Sequence, residues 1–194
     1  MMDIIVLKFN KKNEAQITKR FEIMYNLLSE KTWMKDYEAK NALGIEVDAK
    51  DNTAASFCLI GAVRHVNGPT EEEIIALISL AIAKKNGELD EAITSYIISK
   101  EEGDENISRL EALFGVYDDI VTRQYNYINE DIIPAFNDDK NTTLADVKKI
   151  IKDAQKLYPK MMKLYEKYHT NSLKVNKLKK EVNNLKNKMN NFTL

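Results

Sequence analysis

One cysteine, three prolines and six glycines in 194 residues narrow the possibilities early. A lone thiol excludes an internal disulfide framework and points to a reducing compartment, the cytoplasm. Sandwiches and barrels need frequent turn residues, so the scarcity of Gly and Pro predicts an all-α chain. The opening Ile4-Ile5-Val6-Leu7 is too short for a signal h-region, and no small-residue cleavage site follows it. No apolar run approaches the roughly 18 residues of a membrane helix, so no membrane partner is expected. Walker and dinucleotide patterns are missing. One Cys and two His cannot close a zinc site without carboxylates, and no metal or cofactor is expected.

What is present is ordinary in bulk and uneven in distribution. Hydrophobic residues make up 44% and charged residues 30%, as in soluble globular proteins, and the length suits one core plus an appendage. The net charge of −1 conceals a division. Residues 141–194 carry thirteen Lys and four acids (Asp146, Asp153, Glu166, Glu181), a net of +9. The remaining 16 basic and 26 acidic residues give −10. An acidic helical domain over 1–155 and a basic C-terminal helix over 156–194 are expected.

Apolar spacing by three and four predicts the helices. Ile17, Phe21, Met24 and Leu28 mark one over 14–31, ending near Trp33. Residues 34–52 suggest a turn or small hairpin around Ile45 and Val47. A second helix is expected from an Asn52 or Thr53 cap to Asn67-Gly68. Thr70 with Glu73 forms a capping-box pattern for a third that Gly87 ends, and a fourth covers 89–101. A long fifth runs from Ile107 to Ile128 and stops at Pro134. Thr142 or Thr143 caps the last helical region, which Pro159 is expected to kink or divide. There the alternation continues from Val147 to Phe192. Val175, Leu178, Val182, Leu185, Met189 and Phe192 form a short coiled-coil seam that favours a parallel homodimer.

Candidate chemistry is sparse. Cys58 is the only possible thiol nucleophile, but His65 lies seven residues on, roughly 10 Å along a helix. A working dyad needs about 2.6–3.2 Å, so Cys58 reads as a small buried residue beside Gly61 and Ala62. Residues 137–148 imitate a calcium loop through Asn137, Asp139 and Asn141. Thr142 stands where that loop needs Gly and Lys148 where it needs a bidentate Glu, which rules calcium out. Asn137-Asp138 reads as turn chemistry, with Thr143 and Asp146 a capping box for the next helix. The tail lysines are interspersed with the seam and no Arg accompanies them, so nucleic acid is a possible but unfavoured partner.

Trp33, the run Cys58-Leu59-Ile60-Gly61-Ala62 and Phe136-Asn137-Asp138 followed by Thr143-Leu144-Ala145-Asp146-Val147 resemble the hallmarks of an uncharacterised family of small helical phage and bacterial proteins. The resemblance extends along the following helix to Ala154. The segment between Val63 and Ala135 is longer than is usual there, and the heptad tail is an addition. No reaction comes with the resemblance. It implies a phage-type accessory protein, non-enzymatic, that binds or sequesters a small molecule (a nucleotide signal is one form) or a host protein. The candidate pocket is Trp33, Cys58, Gly61, His65, Asn137 and Asp138, a polar pair and an aromatic facing a Gly-Ala helix. Two other readings are kept. One is a small hydrolase or transferase with Asp138 as general base and Cys58 or Asn137 positioning substrate. The other is a nucleic-acid-associated protein using the Lys-rich helix.

Overall fold

The computed structural model describes residues 11–66, 68, 70–101, 109–121 and 128–163. It is mainly helical, as expected, with one small two-stranded sheet among the described residues. In chain order come α1 (Lys11–Leu27), β1 (Ala39–Asn41), β2 (Ala54–Phe57), α2 (Leu59–His65), α3 (Glu71–Asn86), α4 (Glu88–Glu101), α5 (Arg109–Val121) and α6 (Ile132–Asp138). A last helix, α7, covers 144–163.

The centre is α3. Every residue from Ile74 to Ala83 is buried, so this helix is enclosed on all sides rather than amphipathic. It packs against α2, α4, α5 and α6. The first helix turns the expected face inward: Ile17, Phe21, Met24 and Leu28 are all buried. The last does the same with Val147, Ile150, Ala154 and Met161. Lys148 and Lys152 both lie over the Tyr25 ring, at 4.5 and 4.6 Å, which seats α7 on α1. Tyr158 of α7 has its hydroxyl pKa pushed up to about 12 by burial, with the charges of Glu73 and Glu14 adding to the shift.

Several boundaries differ from those expected. Residues 54–57 are strand, paired antiparallel with Ala39–Asn41, where a helix capped by Asn52 or Thr53 was expected. Asp51 Oδ1 instead takes both the Thr53 N–H and hydroxyl at 2.7 Å, a turn that feeds the strand. The helix begins five residues later than a Thr53 cap would place it. Cys58 is its N-cap, extended at φ −77° and ψ 178°, with Sγ accepting the Gly61 N–H at 3.3 Å. The expected hairpin does form: Asn41 N–H donates to Ile45 O at 2.9 Å and Val47 N–H to Ala39 O at 3.2 Å. Thr70 sits at the cap of α3 but makes no side-chain cap bond, because its hydroxyl accepts from Arg20 instead.

Pro134 does not end a helix but stands in the first turn of α6, where its missing N–H costs little. The expected helix through Ile128 is α5 as far as Val121, and Ile128 is non-helical. Pro159 does not divide α7, which runs on to residue 163. The seam over 175–192 lies outside the described residues. Thr143 and Asp146 do form the capping box. Asp146 N–H donates to Thr143 Oγ1 at 3.3 Å, and Asp146 Oδ2 accepts from the Thr143 hydroxyl at 2.6 Å and N–H at 3.1 Å.

Candidate functional site

Asn137 organises the region where the sequence hallmarks meet. It is fully buried near the end of α6. Its Oδ1 accepts the Trp33 indole N–H at 2.9 Å and the Leu59 backbone N–H at 3.1 Å. Its Nδ2 donates to Met34 O at 3.1 Å and to Asp138 Oδ1 at 2.7 Å. An amide offers two acceptor sites and two donors, and all four are used. One side chain thereby ties the loop after α1, the start of α2 and the end of α6.

The surrounding contacts extend the same join. Asp138 Oδ1 also accepts the Asp36 N–H at 3.0 Å. Asp36 stands at φ 70°, the left-handed region, which Asp tolerates better than most residues. Lys35 Nζ donates to Thr142 O at 2.8 Å and also to Asp139 O, bracing the loop before α7. On α2, Gly61 lies directly beneath the Glu38 carbonyl, and a Cβ there would fall 1.9 Å from that oxygen. Cys58 N–H donates to the same carbonyl at 3.1 Å. The close approach of strand and helix therefore depends on Gly61.

Above this join lies a cleft of about 190 Å³. Tyr37, Cys58, Ile60 and Pro134 line it, together with the charged residues Asp36, Glu38, Arg64, Glu130, Asp131 and Asp138. Five acidic residues and one Arg line it, a formal charge of −4. Arg64 is paired with Glu38. Desolvation pulls its pKa down, but that pair and the charges of Glu130 and Glu71 outweigh it, so the net shift is upward. Cys58 is buried, 4% exposed as a residue. Burial pushes its pKa up, aided by Asp138 and Glu38 and partly opposed by the N–H groups of Gly61 and Ile60. It is held protonated, the reverse of what a nucleophilic thiolate needs.

Of the six residues singled out from sequence, Cys58 and Asp138 line this cleft. Trp33, Gly61 and Asn137 lie in the join beneath it. His65 is apart, at the far end of α2, with Nδ1 2.7 Å from Ala49 O and its ring 4.4 Å from that of Phe57. Sequence reasoning missed Asp36, Tyr37, Glu38, Arg64, Glu130 and Asp131. They come from three separate segments with no shared spacing, so no linear pattern announces them. Among the described residues, no group of three or more His, Cys, Asp or Glu side chains is placed to hold a metal ion.

The fold and this join define a small, mainly helical protein with an acidic cleft beside a glycine-dependent contact between α2 and the chain entering β1. The chain belongs to DUF6197, a family of unknown function whose pattern matches residues 15–157. No curated protein and no solved structure matches it. The matched span takes in every hallmark residue and the whole cleft, and it ends before the heptad seam.

Proposed function

We propose that this is a non-enzymatic binding protein whose cleft receives a cationic group, a guanidinium or ammonium presented by a partner. The observation that carries the reading is the cleft's lining, in which four acidic residues (Asp36, Glu130, Asp131 and Asp138) remain beyond the Glu38–Arg64 pair. Such a concentration of one sign in a recess attracts a counter-charge. About 190 Å³ suits one long side chain or a small amine better than a drug-sized ligand, whose sites start near 300 Å³. The acidic walls repel phosphate, so a nucleotide signal is a poor occupant here. An enzymatic reading is weakened because Asn137 has no hydrogen-bonding capacity left for substrate and the Cys58 thiol is kept neutral.

In its finer form the proposal is a phage-type accessory protein acting in the cytoplasm of a bacterial host. It engages a host protein through a basic side chain and pairs with a second copy through residues 175–192. Among the described residues, no helix is long and apolar enough to cross a membrane.

Titration of the isotope-labelled full chain with arginine amide, followed by NMR, tests the cleft. Shifts should concentrate at 36–38, 64 and 130–138, and the paired substitution Glu130→Gln/Asp131→Asn should weaken binding and flatten its salt dependence, as loss of cleft charges does. Shifts scattered over the surface, or equal binding by the paired variant, would contradict the proposal.

A further inference from the structure

We infer that a second site, in a groove between the C-terminal end of α3 and α7, binds a small ligand carrying two or three adjacent phosphates. The groove has a volume of about 410 Å³, within the range of small-molecule sites. Lys84 and Lys85 enter it from α3, and Lys149, Lys156 and Lys160 from α7. Asp153 is the one carboxylate among the lining residues, giving a formal charge of +4.

Part of this charge is already answered. Asp153 lies 3.4 Å from Lys156, and Lys85 sits 5.0 Å from the centre of the Phe136 ring. Asp146, near Lys85 and Lys149, is engaged in its own capping box. Among the described residues, no ion pair holds Lys84, Lys149 or Lys160.

Local helix chemistry accounts for Lys84, Lys85 and Lys156, the last through its i,i+3 pairing with Asp153, but not for Lys149. Lys84 and Lys85 stand in the last turn of α3, where cations complement the macrodipole. Lys149 stands in the second turn of α7, towards the end where a cation gains nothing from it. A solvated lysine face would also be convex. Here two helices converge on a concavity floored by Ala81, Ile150 and Leu157, the first two buried. Clustered ammonium groups repel one another, and a compact polyanion relieves several of those repulsions at once. Of the apolar lining, the half-buried Leu157 is the side chain a nucleoside base could meet. The acidic cleft and this groove share no lining residue, so the two proposals stand or fall separately.

Calorimetry on the full chain at low salt, with inorganic tripolyphosphate, ATP, AMP and a ten-nucleotide single strand as probes, tests the inference. Tripolyphosphate or ATP should bind one to one, more tightly than AMP, with affinity falling as salt rises. Tighter ATP than tripolyphosphate would place the base on the floor; equal affinities would assign recognition to the phosphates. Lys149→Glu/Lys156→Glu should weaken binding at least tenfold, and Lys84→Gln/Lys160→Gln should do so if the reversal disturbs folding. Lys31→Glu, outside the groove, should leave binding unchanged. No binding of either polyphosphate, equal binding by both paired variants, or binding of the oligonucleotide alone would overturn it.

Discussion

Asn137 and Gly61 carry the most information per residue, and for different physical reasons. Asn137 is a buried amide with every donor and acceptor engaged, so its removal strands the Trp33 N–H and the Leu59 N–H together. Gly61 is required by contact rather than by backbone angle, since the space for a side chain is already filled by the Glu38 carbonyl. That oxygen is backbone and cannot swing aside. Gly61→Ala should therefore cost about 2–3 kcal/mol, as overpacking does, measurable as a lowered urea midpoint with an unchanged slope. A change below about 0.5 kcal/mol, the size of an ordinary surface effect, would show that strand and helix part easily. The same two residues mark the limit of sequence reading. The run around Gly61-Ala62 suggested a helix wall of the pocket, and Asn137 suggested a turn. Nothing in the linear pattern shows that a Trp 104 positions away supplies one of the amide's partners.

At the scale of elements, the helices with a clean apolar period were legible, and the exceptions have local causes. The faces of α1 and α7 follow directly from spacing by three and four. The strand at 54–57 was hidden because Asn52 and Thr53 are good caps by type, while Asp51 had already committed Thr53 to a turn. Cys58 caps α2 through sulfur, which capping preferences scarcely anticipate. Pro134 was read as a stop although a proline is equally at home in a first turn. The capping box of α7 was recognisable because both partners have the right chemistry three positions apart. Its hydrogen bonds, first from the Thr143 hydroxyl and then from its N–H, hold the Asp146 carboxyl below its ordinary range. Thr143→Ala should cost about 1 kcal/mol, read by chemical denaturation. The contribution from Asp146 is present above its ordinary pKa and fades as pH falls through its lowered folded value.

At the scale of the whole molecule, the charge division seen in sequence resolves into two places among the described residues: an acidic cleft near α2 and α6, and a lysine-rich groove between α3 and α7. Composition announced the separation, but only the folded chain brings Lys84 and Lys85 to the side of α7. The core also imposes one pH-dependent cost. Burial raises the pKa of Glu73, helped by the charge of Glu72 and opposed by its own backbone N–H and by Arg20. A raised folded value means that the folded state holds this proton more tightly than the unfolded state does. The stability tied to it is full below the ordinary Glu pKa, near 4.5, and is lost as pH rises through the folded value. Glu73→Gln should therefore be more stable than the wild type at pH 7 and lose that advantage near pH 4, by thermal melts across the range. An advantage that does not change with pH would contradict the assigned cause.

The central claim is that the hallmark Trp and Asn form one structural join beneath the cleft. It is tested most directly by a double-mutant cycle of Trp33→Phe and Asn137→Ala on unfolding free energy. Asn137→Ala alone should cost about 3 kcal/mol through stranded donors, and the pair should couple by about 1 kcal/mol. Additive effects within about 0.3 kcal/mol, the behaviour of independent sites, would contradict the join.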